Sequence, residues 1–307
     1  MTARAAPTTT VDWLLDSDPA FRWQTLRDLT DAPPDEVAAE RARVASTGWG
    51  AALLAKQAPD GTWPCAEDSS EWCSLLALLW LRDLGLDPTT DTMRAATKRT
   101  AEKVTWKWWD NRPFFHGEVE PCINGRVVAL AAYFEQDSGH LVERLLGEQM
   151  ADGGWNCEQE NGSVRGSFDT TINVLEGLLA HEQATGGSPA VAAARARGEE
   201  YLLERRLLFR LSTGQPVDSR FTELAFPPGY HYDVLRALDY FRRSDRYDER
   251  QEEAIGVVER KRRPDGRWLL DVERPDQLDI GAAERAGEPS RWITLRALRV
   301  MGWAGRA

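Results

Sequence analysis

An all-α fold built from about six helical hairpins is predicted by two features of this 307-residue sequence. The first is a recurring turn: Pro59-Asp60-Gly61-Thr62-Trp63, Ala151-Asp152-Gly153-Gly154-Trp155 and Pro264-Asp265-Gly266-Arg267-Trp268. Asp-Gly supplies the left-handed backbone of a tight turn, and the tryptophan after it can fold back on the preceding helix. The second is a series of apolar helical stretches alternating with more polar ones. No segment alternates with period two for long enough to build a sheet.

The apolar stretches run from Asp18 to Leu29, Ser70 to Leu84, Pro121 to Phe134, Ser167 to His181, Gly229 to Phe241 and Pro289 to Val300. Anchored on Leu26, Leu75, Val128, Leu175, Leu235 and Leu295, they recur roughly every 50 to 60 residues, the size of a helical-pair repeat. The run Trp72 to Leu81 has almost no polar face and belongs inside. Polar segments at about Pro34 to Ala55, Thr90 to Val104, Gly139 to Gln149, Pro189 to Leu208 and Asp248 to Arg262 suit an outer, solvated layer. An open stack needs polar end repeats. The first and last apolar stretches, with Trp23 and Trp292, are no more polar than the middle ones, which favours closure. One domain over residues 1–307 is expected, with Met1 to Thr10 as a flexible tail.

A net charge of −11 with no basic stripe argues against nucleic acid as a partner. It also disfavours attraction to an anionic membrane surface. The longest apolar run, Leu75 to Leu81, is far too short for a transmembrane segment. Met1 to Thr10 has no apolar secretory core, so a cytoplasmic location is expected. Cys65, Cys73, Cys122 and Cys157 show no paired or C-x-x-C spacing, which predicts free thiols. Thirteen tryptophans imply repeated packing pins, a wide aromatic cavity, or both. Oligomeric state leaves no mark in the sequence.

Gln149 to Trp155 (Gln-x-x-Asp-Gly-Gly-Trp), followed by Ser167 to Leu178, resembles the tryptophan turn and inner-helix start of the squalene cyclase and protein prenyltransferase superfamily. Among its members the chain is most similar to small, single-barrel squalene cyclase-like bacterial proteins. The resemblance implies an α/α toroid of six inner and six outer helices, with a ligand cavity at the inner-helix ends and their preceding loops. It also implies an isoprenoid or other hydrophobic small molecule as partner. Squalene cyclases use two barrels, and this chain has length for one, so squalene itself does not fit.

Three kinds of chemistry follow. Class II terpene cyclases protonate an alkene with an Asp-x-Asp-Asp-Thr motif, which demands a carboxyl group kept protonated. At that place stand Ser167-Phe168-Asp169-Thr170, so Asp169 alone remains and Phe168 occupies the donor's position. The structural alternative is a first-turn acid favourable to the helix dipole. Prenyltransferases hold zinc with Asp-x-Cys and a histidine. The matching positions here are Glu120, Cys122 and Asp169, all feasible ligand types, with Cys157 and His116 able to complete or replace the set. The alternative is that the cysteines are small core residues. Trp106, Trp108, Trp109, Phe114, Phe115, Phe168, Tyr230 and Tyr232 are candidates to line an aromatic cavity for a carbocation or a long apolar ligand, or else to pack the repeat joints.

His231 and Glu118 join Asp169 as candidate catalytic groups, and Trp108, Trp109, Phe115, Phe168, Tyr232 and Arg291 as candidate substrate-binding groups. Arg126, Arg165, Arg220 and Arg291 are candidates to grip an anionic head group. The leading expectation is a toroid acting on a hydrophobic small molecule at the mouth formed by Glu118, Glu120, Cys122, Cys157, Asp169 and His231. A zinc-dependent prenyltransferase-like enzyme and a non-catalytic binding scaffold are the alternatives, and whether the chain is an enzyme stays open.

Overall fold

The computed structural model describes residues 9–65, 69–275 and 277–306. Its helices begin with α1 (Thr10–Leu15), α2 (Pro19–Leu29), α3 (Pro34–Ala42), α4 (Gly48–Ala55) and α5 (Ser70–Leu84). Then come α6 (Asp91–Lys103), α7 (Pro121–Tyr133), α8 (Gly139–Gly147) and α9 (Phe168–Thr185). The chain ends with α10 (Pro189–Glu204), α11 (Val234–Arg243), α12 (Glu252–Arg260) and α13 (Arg291–Trp303). The predicted apolar stretches are α2, α5, α7, α9, α11 and α13, and they form the inner ring. Each packs on an outer helix, as α7 does on α8 and α11 on α12, and α13 packs on α2 to close an α/α toroid.

Local chemistry fixes where the inner helices start. Asp18, Ser69, Ser167, Asp233 and Ser290 each accept a first-turn backbone N–H, while α7 starts on Pro121. The tryptophan turns share one geometry. Trp63, Trp155 and Trp268 are buried, and their indole N–H groups donate to Leu53, Leu145 and Val258 carbonyls at 2.9, 2.7 and 2.7 Å. Each bond reaches ten residues back, pinning a turn to the outer helix before it. At Gly153, φ is +86° and an added Cβ would stand 2.6 Å from the Arg197 carbonyl oxygen, so only glycine fits.

Inner helices α7 and α9 meet backbone to backbone. A Cβ on Gly125 would lie 2.5 Å from Asn173 O, and one on Gly177 would lie 2.3 Å from Gly125 O. Before α7 the tryptophan turn is replaced by a short hairpin, β1 (Thr105–Trp106) with β2 (Arg112–Pro113), where Trp106 Nε1 donates to Phe114 O at 2.7 Å.

Three expectations are corrected. The predicted outer helix from Pro34 to Ala55 is two helices, because the Ser46 and Thr47 hydroxyls take the Arg43 carbonyl while Trp49 N–H turns to Asp18. Of the expected tail, residues 1–8 lie outside the described residues, but Thr9 caps α1, and Thr10 bonds Asp265 O at 3.0 Å beside the third tryptophan turn. Thus α1 supplies an outer helix at the ring closure. Cys65 and Cys73 are not free thiols. The chain leaving Trp63 folds back on the first turn of α5, brings their Cα atoms to 5.7 Å and bonds them in a disulfide, leaving Cys122 and Cys157 free.

Candidate functional site

Inside the ring lies a cavity of about 530 Å³. Its lining follows one face of the inner helices to the last turns of α2, α7, α9 and α11, at Arg27, Tyr133, Ala184 and Arg243. One wall is aromatic. Phe226 and Trp292 stack at 4.1 Å, and Trp80 meets them edge-on at 5.4 and 6.0 Å. Trp23 adds a further indole, anchored by its N–H to Leu84 O at 2.9 Å.

Charged side chains make up a second part of the lining, among small, aliphatic and amide residues. Arg236 on α11 forms a 2.7 Å ion pair with Glu176 on α9, and also donates to Asn173 Oδ1 at 2.9 Å and His231 O at 2.7 Å. Burial alone would push the Glu176 carboxyl up, but Arg236 and Arg243 hold it at about 2. Asp239 is likewise held at about 2 against its burial by Arg242 and Arg296. Arg126 on α7 is 4% exposed and lies 5.2 Å over the Trp72 ring. Its Nη1 is buried without a hydrogen-bond partner, and no carboxylate among the described residues pairs with it. Burial and the neighbouring Arg236 lower its pKa to about 10, so it remains cationic at neutral pH.

None of the residues in the predicted catalytic, substrate-binding and metal sets lines this cavity. They sit at the inner-helix starts, in separate groups. Glu120, Cys122 and Cys157 form the first, with ligand atoms all within 4.8 Å of one another. Cys122 Sγ donates to Glu120 Oε2 at 3.4 Å, and Thr170 Oγ1 to Cys157 Sγ at 3.4 Å. A hydrogen bond from Cys122 pulls the Cys157 thiol below its ordinary pKa, and the same contact together with burial pushes Cys122 up. Asp169, expected as the third ligand, stands outside this group.

Asp169 belongs to the second group. Its Oδ1 accepts Tyr232 N–H at 2.6 Å, while Asn173 Nδ2 joins Asp169 O and Tyr230 O at 2.7 and 2.8 Å. Neighbouring His231 has its pKa lowered by burial and by the positive charge of Arg274. Glu118 stands before α7, where its Oε1 accepts Glu120 N–H at 2.7 Å and burial raises its pKa. His116 packs at a tilt against His140, 4.8 Å between ring centroids, instead of joining the thiols.

The predicted substrate-binding rings pack or point outward. Phe168 and Tyr232 pack together at 5.0 Å with Phe221, and Tyr232 OH donates to Leu207 O. Phe115 packs on Phe114, Trp109 is half-buried, and Trp108 is 88% exposed on the β1–β2 turn. Arg291 lies 4.5 Å over Trp13 at the ring closure. Among the arginines considered for an anionic group, Arg126 does line the cavity.

Trp80, Trp292, Glu176 and Arg236 are the lining residues missed by attention to helix starts. Their spacing could have found them: Asn173-Glu176-Ala180-Gln183, Arg236-Asp239-Arg243 and Trp292-Arg296-Arg299 are polar or aromatic stripes at helical intervals on otherwise apolar helices.

No protein-family model matches this chain, and no curated protein matches it. Among solved structures it is similar to a type II terpene cyclase from Scytonema, determined in complex with its substrate geranylgeranyl dihydroxybenzoate. The match covers 94% of this chain and 87% of that one, at 15% identity and a TM-score of 0.44.

Proposed function

We propose that this protein holds an isoprenoid or similar hydrophobic small molecule in the central cavity of the toroid. The observation that carries this reading is the cavity of about 530 Å³ with Trp23, Trp80, Phe226 and Trp292 in its wall. That volume falls within the range of small-molecule sites, and the rings suit an apolar or unsaturated body. Glu176 and Asp239 in the lining are held ionised by arginines, which is the opposite of what alkene protonation needs. This supports binding over proton-initiated cyclisation. Titration with farnesol, followed by tryptophan fluorescence, tests the reading. Saturable one-to-one quenching weakened at least fivefold in Trp80→Ala supports it; linear, non-saturating quenching rejects it.

A second reading concerns zinc. Glu120, Cys122 and Cys157 offer one carboxylate and two thiols within 4.8 Å, a donor set and spacing that fit the ion and leave a fourth coordination position open. Bound there, zinc would supply an activated thiolate or Lewis-acid chemistry.

A further inference from the structure

Resting on the cavity reading above, we propose that the ligand carries an anionic head group, a carboxylate or phosphate, which binds Arg126. The whole chain is acidic at −11, yet eight arginines line the cavity against three acidic residues. That local excess sits in a confined space, where a field is focused and weakly screened.

Most of these arginines already have partners. Arg82 pairs with Asp83, Arg236 with Glu176, and Arg27 and Arg299 with Asp28. Arg243 lies near both Glu176 and Asp239, and Arg41 donates to Gly85 O and Tyr133 OH. Arg296 makes no ion pair, but it is half-buried over Phe226 and feels the charges of Asp233 and Asp239.

Arg126 differs from all of them: buried, cationic and unpaired. An uncompensated buried charge destabilises the ligand-free fold, and a bound carboxylate or phosphate relieves that cost with charge-assisted hydrogen bonds. Trp292 Nε1, in the stacked aromatic wall, is also buried without an acceptor. The unmatched Arg126 group is a donor, so the complementary ligand atom is an oxygen that accepts. Arg126 is the one fully buried lining arginine among the described residues without an ion pair, which matches a head group with one or two oxygens in reach. The apolar body then lies along Trp80 and Trp292.

Isothermal titration calorimetry of the full chain with farnesol, farnesoate and farnesyl monophosphate, all below self-association, tests the assignment. The acidic compounds should bind at least tenfold more tightly than farnesol, and the tighter of the two identifies the head group as carboxylate or phosphate. Arg126→Met should abolish that advantage while leaving farnesol affinity within threefold, and Arg126→Lys should keep part of it. Arg126→Met should melt no lower than the wild type, since it loses an unpaired buried charge. If it fails to fold, the wild-type series and Arg126→Lys still decide. Equal affinity for all three compounds, or unchanged acid binding in Arg126→Met, overturns the head-group assignment alone. Absence of binding by any compound overturns the cavity reading with it.

Discussion

The carboxylate of Asp169 accepts the backbone N–H of Tyr232 at 2.6 Å, tying the first turn of one inner helix to the segment that enters the next. Asn173 spans the same joint through Tyr230 O. An acid used this way positions backbone. Asp169→Ala should therefore cost about 1–3 kcal/mol, the penalty for stranding a buried amide, while Asp169→Asn, which keeps an acceptor, should cost under about 1 kcal/mol. Urea unfolding of both variants measures this. Unchanged stability in Asp169→Ala would return the residue to the candidate catalytic groups.

The zinc reading makes a sharper distinction. Sequence matching names Glu120, Cys122 and Asp169, with Cys157 able to complete or replace the set, and the structure gathers Glu120, Cys122 and Cys157. After zinc loading and desalting, elemental analysis should find about one ion per chain. Cys157→Ser should lower occupancy at least tenfold and Asp169→Asn should leave it intact. Metal-free wild-type protein after loading would end this reading. In that case Cys157, with its lowered thiol pKa, should still alkylate faster than Cys122.

The difference between those ligand sets shows what the sequence could express. The six inner helices were legible because apolar periodicity and capping residues act locally, and the tryptophan turns because Asp-Gly has few backbone solutions. Cys157 joins Cys122 through the loop from Asn156 to Gly166, held by Asn156 on Arg165 O and Asp152 on Gly166 N–H. No fixed spacing encodes that path. The same holds for Cys65 and Cys73, paired only because a turn folds onto a helix start. The cavity was misplaced for another reason: helix starts attract attention by composition, but the lumen is written in stripes such as Trp292-Arg296-Arg299, each residue ordinary by itself. α1 is six residues long, too short for periodicity to reveal.

Two glycines should respond oppositely to alanine. At Gly125 the new Cβ would meet Asn173 O at 2.5 Å, a backbone atom that yields only if α7 and α9 separate. Gly125→Ala should cost about 3 kcal/mol. At Gly256 on α12, the nearest atom is the end of the flexible Arg260 side chain at 3.0 Å. There Gly256→Ala should stabilise by up to about 1 kcal/mol through helix propensity. Thermal and urea unfolding of the pair decide it; a neutral Gly125→Ala would disprove the close inner-helix contact.

Asp233 sets a pH dependence. It caps α11, accepting Arg236 N–H at 2.8 Å, and it is buried. Burial raises its pKa from 3.8 to about 6, with the cap bond and the charges of Arg296 and Arg236 only partly opposing. The folded state thus binds this proton more tightly than the unfolded chain. Its stabilising contribution is complete below about pH 4 and is lost as pH rises through about 6, a swing of about 3 kcal/mol. Asp233→Asn retains a capping acceptor but cannot ionise. Compared with the wild type, the variant should gain stability between pH 4.5 and 8 by about 2–3 kcal/mol. Urea unfolding at pH 4.5, 6 and 8 reads the difference directly. A wild-type-to-variant gap that does not change with pH would mean that Asp233 is already ionised throughout this range, its charge compensated by Arg236 and Arg296.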